Sequence, residues 1–87
     1  MFDKRILVLP RGWVVVGDFS KMGTQVKLSN ASVVRRWGTD HGLGQLANEG
    51  PQENTKLDSA PQGIQVHELA IIAQFPCNPA KWSGDAA

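Results

Sequence analysis

The stretch Trp13-Val14-Val15-Val16-Gly17-Asp18-Phe19-Ser20-Lys21-Met22-Gly23-Thr24-Gln25-Val26-Lys27-Leu28 decides the fold class. Residues 13–16 are aromatic and β-branched, with Gly12 and Gly17 on either side. Such a run is apolar on both faces, the pattern of a central or interface strand. Ser20-Lys21-Met22-Gly23 reads as a turn, because Gly23 takes a positive φ without steric cost. Val26 and Leu28 then alternate with Gln25 and Lys27, the two-residue period of a strand with one buried face.

The same punctuation continues outward. Residues 6–9 form a short apolar run closed by Pro10. Ser29-Asn30 reads as a second turn and residues 32–37 as a further strand, so the N-terminal half is an antiparallel meander. From Gly38 to Gly50 the character changes. Leu43, Leu46 and Ala47 fall at i, i+3 and i+4, one face of a helix about two turns long. Thr39 or Asp40 suits its start, and Gly50-Pro51 stops it. Residues 51–63 are polar, with 55–57 as a brief strand. Ile64 and Val66 alternate with Gln65 and His67, and residues 70–75 form a last strand before Pro76. Trp82 is the one large residue of the tail and pins it. The expected fold is mainly β: a small antiparallel barrel or sandwich with one short helix near residues 41–49. Residues 1–77 make a single β-rich domain, and 78–87 a partly ordered tail.

With 87 residues the chain has room for one domain. A core of that size supplies only a few kcal/mol without a staple. One cysteine, Cys77, excludes an intrachain disulfide. His41, His67 and Cys77 have no metal-ligand spacing, so neither metal nor cofactor is expected. The remaining supplement is self-association into a homo-oligomer, with Trp13 and Val15 of the doubly apolar strand as the expected interface. Nine Lys/Arg against eight Asp/Glu leave +1. That balance, with 41% hydrophobic residues, argues against disorder and against a strongly basic nucleic-acid binder. No apolar run approaches the roughly 20 residues of a membrane span, and no secretory signal opens the chain, so a cytoplasmic location is expected. Charge is uneven: residues 1–40 carry seven Lys/Arg and three acids, residues 41–87 two and five. Interleaving the halves would cancel this, and keeping them apart would leave a basic and an acidic face.

The strand-to-helix junction concentrates the residues with binding chemistry. Arg35 and Arg36 offer planar donor forks that fit phosphate oxygens. Trp37 offers a face on which a base stacks. Gly38, Gly42 and Gly44 let backbone approach a ligand. Thr39 and His41 carry hydrogen-bonding side chains beside a helix start, where free N–H groups favour an anion. The opposing considerations are also local. Alternation along a strand sends Arg35 and Arg36 to opposite faces unless a bulge or a second chain intervenes. Asp40 repels an anion. Arg and Trp are equally the anchors of protein interfaces.

Other signals are weaker. Residues 42–47, GLGQLA, match G-x-G-x-x-A, but a dinucleotide fold needs a βαβ unit that this short helix cannot make. No phosphate-loop motif is present. His67 reads as a solvated strand residue and Cys77 as a small packed one. Glu49, Glu53 and Asp58 sit on polar sequence without a partner at fixed spacing. No nucleophile, base and oxyanion hole assemble, so no enzyme is expected.

The run Leu28-Ser29-Asn30-Ala31-Ser32-Val33-Val34-Arg35-Arg36-Trp37-Gly38-Thr39, then Gly42-Leu43-Gly44-Gln45-Leu46-Ala47, Gly50-Pro51, Thr55-Lys56-Leu57-Asp58 and Val66-His67-Glu68-Leu69-Ala70, resembles an uncharacterised family of short proteins encoded by tailed phages, prophages and mobile elements. The resemblance covers residues 12–77 and is most specific from Arg36 to Gly44. It implies a source in mobile DNA and no particular activity. Asp40-His41 stands where the resemblance would place Thr and a basic residue. Two functions fit such a source. One is a phage accessory protein that binds and sequesters a phosphorylated nucleotide-type small molecule without catalysis, as phage sponges do with immune second messengers. The other is an interaction module that meets a host or virion protein through the Arg/Trp patch.

Overall fold

The computed structural model describes residues 3–82. Six strands, β1 (Lys4–Val8), β2 (Val14–Met22), β3 (Gln25–Arg36), β4 (Lys56–Ala60), β5 (Ile64–His67) and β6 (Ala73–Pro76), form one antiparallel sheet. Their order is β4-β3-β2-β1-β6, with β5 pairing the other half of β3. One helix, α1 (Gly42–Glu49), and a single helical turn, α2 (Pro79–Trp82), complete it. The mainly β fold with a short helix is as the turn-punctuated sequence predicts. The sheet does not close into a barrel; it folds over on itself along a crease.

The crease crosses three strands at one level. On β2 the register slips between Val16 and Asp18, at Gly17. Opposite it on β3, Asn30 takes a left-handed φ of 48° and donates its side-chain N–H to Asp18 Oδ2 at 2.8 Å. An extra residue in that conformation is a bulge that bends its strand. The Ser29-Asn30 turn read from sequence is therefore a kink inside one twelve-residue strand. On the far edge of β3, residues 61–63 interrupt what is otherwise one long strand, and Gly63 (φ 86°) bonds back to Ala60. Distances require the fold-over. The Glu68 N–H reaches the Thr24 carbonyl, and four residues later the Ile72 N–H reaches the Val8 carbonyl. Four residues span at most about 14 Å. From Val14, level with Val8, to Met22 a flat strand would run about 26 Å.

Folding over gives two cores. Leu7, Val15, Val26, Leu28 and Ala31 pack inside the fold, with Phe19, Ile64, Val66 and Ile71 around them. Ile6, Val14, Val16 and Val34 face the other way, under Leu43, Leu46 and Ala47 of α1 and under Cys77 and Trp82. Residues 14–16 are apolar on both faces because β2 is central and both of its faces are covered. This corrects one expectation. Val15 is 2% exposed in a single chain, so it is core and has no surface to offer a partner.

The C-terminal segment caps α1. The last carbonyls of a helix lack intrahelical donors. Here Gly50 N–H serves Leu46, Asn78 N–H serves Ala47, and the Asn78 side chain serves Asn48. The Trp82 indole N–H is shared between Leu46 and Ala47 at 3.2 and 3.0 Å. Trp82 thus belongs to the packed body and does more than pin a tail.

Two substitutions test these supports. A Cβ at Gly17 would lie 2.8 Å from Leu28 Cβ and 3.1 Å from Ala31 Cβ. Gly17→Ala should therefore cost about 1–3 kcal/mol by overpacking the crease, read as a lower urea midpoint at unchanged slope. Trp82→Phe should cost about 1 kcal/mol or more for the lost indole donor, and Trp82→Ala about 3–5 kcal/mol. A Trp82→Phe variant as stable as the wild type would show that the indole N–H contributes nothing.

Candidate anion site at the β3 bulge

β3 ends in a second bulge. Val34 pairs with Leu57 and Arg36 with Lys56, which leaves Arg35 as the extra residue. The bulge removes the strict alternation that would separate the two arginines. Arg35 Nε lies 2.9 Å from Asp58 Oδ2 and 3.2 Å from Oδ1. Asp58 pairs with Val33, so it sits on the face of the inner core. Lys56, two residues before Asp58, is on that face too, and it stands opposite Arg36. Arg35, Arg36, Lys56 and Asp58 therefore form one exposed cluster with an excess of positive charge. Neither Arg36 nor Lys56 has an ion-pair partner among the described residues. Like charges directly opposite across a ladder are unfavourable unless an anion joins them.

The turn from Trp37 to Gly44 is built around backbone, on the helix side of the sheet. The Trp37 ring lies against Gly42 at the start of α1 and remains 43% exposed. Its carbonyl accepts from Thr55 Oγ1 at 2.6 Å. Gly38 (φ 69°) passes so close to Asn54 and Thr55 that a Cβ there would collide with their backbone. The Thr39 hydroxyl donates to the Gly42 carbonyl at 2.7 Å, so it closes the turn and does not cap the helix. The N-cap is His41, whose side chain makes no cap bond. Its own N–H is taken by Gln45 Oε1 at 2.7 Å. Gly44 is exposed, with open space where a Cβ would stand. Among the described residues no hydrogen bond joins either arginine to this turn. The expected site thus divides into a basic cluster on one face and a glycine turn with Trp37 on the other.

Several placements differ from the sequence reading. Asp58 lies on β4 opposite Val33 and is the ion-pair partner of Arg35, not a loop residue without one. Lys56 is not marked by the sequence as a site residue, because its role depends on the register of β4 against a bulge. The one signal for it was the Thr55-Lys56-Leu57-Asp58 alternation read as a brief strand. Trp13 is 56% exposed and immediately precedes β2. His67 Nδ1 accepts from the Leu69 N–H at 3.0 Å, capping the short turn Glu68–Ala70. The charge halves interleave: the Arg35–Asp58 and Lys21–Glu68 pairs each join one to the other. A groove of about 260 Å³ opens beside the β2–β3 hairpin and β5, lined by Ser20, Met22, Lys27 and Gln65 among others, and holds no candidate residue. No helix of the described residues is long and apolar enough to cross a membrane.

Burial pushes the Cys77 thiol up to about 12, against a slight opposing pull from Lys4. A thiol raised on folding favours the native state below its unfolded value near 9, and that stability is lost as pH rises from about 9 to 12. Two outcomes should follow. The native protein should resist iodoacetamide at neutral pH and react once unfolded. Unfolding free energy should fall above pH 9, and less so in Cys77→Ala. Comparison with family models, with curated proteins and with solved structures finds no match.

Proposed function

We propose that the protein binds a phosphorylated nucleotide-type small molecule at the β3 bulge and sequesters it without turnover, as a phage-type accessory protein in the host cytosol. One observation carries the reading: Arg36 and Lys56 are paired across the β3–β4 ladder, and among the described residues neither has an ion-pair partner. A phosphate placed there takes charge-assisted bonds from a guanidinium fork and an ammonium. It also relieves a repulsion that the chain otherwise bears. Arg35 stands beside them, held by Asp58. A source in mobile DNA, which the resemblance to phage-encoded short proteins implies, is compatible with a sequestering role.

The test is calorimetry against cyclic dinucleotides, cyclic trinucleotides and ADP-ribose derivatives, with chromatography of the recovered ligand to check that it is unchanged. Arg36→Ala and Lys56→Ala should each weaken binding by about 10- to 100-fold, the loss of a hydrogen bond to a charged group. Asp58→Asn frees Arg35 and should strengthen it. If no member of the panel binds below about 10 μM, the basic cluster serves instead as a contact for a host or virion protein.

A further inference from the structure

The row of side chains that contains the basic cluster continues past β3. Val15 pairs with Val33, and Val33 with Asp58, so these three share one face of neighbouring strands. Two residues back along β2 is Trp13. It is extended (φ −69°, ψ 131°), and its carbonyl accepts from Leu9 N–H at 2.8 Å, which prolongs the β1–β2 ladder by one step. Regular alternation therefore puts the Trp13 side chain on the Val15 face. Two residues on along β3 is Arg35, followed by Arg36 at the bulge, and two residues back along β4 is Lys56. Trp13, the arginines and Lys56 thus lie across three neighbouring strands at one end of one face. Trp37 instead packs at the start of α1 on the other face.

Resting on the reading of the bulge as a phosphate site, we infer that Trp13 is the platform for the ligand's base. The site takes a nucleoside phosphate laid across the strands, its phosphate between Arg36 and Lys56 and its base stacked on Trp13. β2 and β4 are two strand spacings apart, about 10 Å, a gap that a sugar with its phosphate bridges. The β2–β3 ladder ends at Val15–Val33, so Trp13 and Arg35 are not bonded to each other across it. No cation–π contact joins them among the described residues, and Trp13 is 56% exposed. The backbone that leads into Trp13 is also constrained. Arg11 and Gly12 before it both take left-handed conformations, with φ of 65° and 81°. A non-glycine residue adopts that conformation at a cost, so the turn that delivers Trp13 is set by its surroundings. Trp13 lies outside both core clusters, so its exposure is not needed for packing.

The experiment compares base-bearing with base-free phosphates. Titrate ADP-ribose, a cyclic dinucleotide and inorganic pyrophosphate into the wild-type chain and into Trp13→Ala, Trp13→Phe, Trp37→Ala and Arg36→Ala. Trp13→Ala should weaken the nucleotides about 5- to 150-fold, the loss of one stacked base, and leave pyrophosphate unchanged. Trp13→Phe should restore most of the loss. Arg36→Ala should weaken all three ligands, and Trp37→Ala none. If Arg36→Ala weakens the nucleotides while Trp13→Ala does not, the platform is wrong and the phosphate site stands. If Trp13→Ala weakens pyrophosphate equally, its effect is structural and the platform is also wrong. If neither nucleotides nor pyrophosphate binds, both readings fall.

Discussion

The crease through Gly17, Asn30 and residues 61–63 is the constraint on which the rest depends. These six strands in a flat sheet would bury one face under α1 and leave the other in water. Bending brings Val26, Leu28, Ile64 and Val66 from one half over Leu7, Val15 and Ala31 in the other, and a second core forms without a second layer of helices. Each strand yields by its own device. β2 uses a glycine where a Cβ would meet Leu28 and Ala31. β3 uses a left-handed Asn tied to Asp18. The outer edge breaks altogether, and a Cβ at Gly63 would lie 2.8 Å from the Leu28 carbonyl. At each buried side chain roughly 1.5–3 kcal/mol is at stake, so this fold-over answers the problem of a small chain without disulfide or metal.

The same need for local irregularity shapes the candidate site. A regular β3 would place Arg35 and Arg36 on opposite faces, one of them toward the helix layer. The bulge at Arg35 turns both outward onto the face that carries Asp58 and Lys56. Asp58 then neutralises one arginine, and among the described residues Arg36 and Lys56 have no ion-pair partner. The two bulges of β3 thus have different results: the one at Asn30 closes the core, and the one at Arg35 concentrates charge at the sheet's end.

What was legible in the sequence follows the range of the interactions. Local signals served well: the alternation of Val26 and Leu28, the Leu43-Leu46-Ala47 face of α1, and a turn at Gly23, although Ser20–Met22, read as part of that turn, belong to β2 and the turn is Gly23-Thr24. Gly50-Pro51 marked the helix end because a residue with φ 80° must follow it. Long-range pairing was not legible. Nothing near Ser29-Asn30 in the sequence says whether a left-handed Asn ends a strand or kinks it; the partner Gly17 decides that. Val15 looked like an interface residue because a run apolar on both faces implies two covers. The second cover is the chain's own sheet folded back, which no window of neighbouring residues contains. Lys56 and Asp58 gained their roles only through the register of β4.

The division of the site follows from the same physics. A glycine-rich helix start suggests an anion cradle, yet here one N–H and two carbonyls of the turn are already bonded to side chains. Gln45 accepts from the His41 N–H, Thr39 donates to the Gly42 carbonyl, and Thr55 donates to that of Trp37. Each of those bonds holds the crossover from β3 to α1 close to the sheet, where Leu43 and Leu46 cover Val34 and Ile6. Gly38 is fixed by the same approach, since its backbone passes against Asn54 and Thr55. The turn is therefore explained by packing. The Arg36–Lys56 opposition is not, because the fold gains nothing from two facing cations at an exposed strand end. A feature that costs stability and serves no packing role is the stronger sign of a ligand, and that is why the functional reading rests on the open sheet face and not on the helix start.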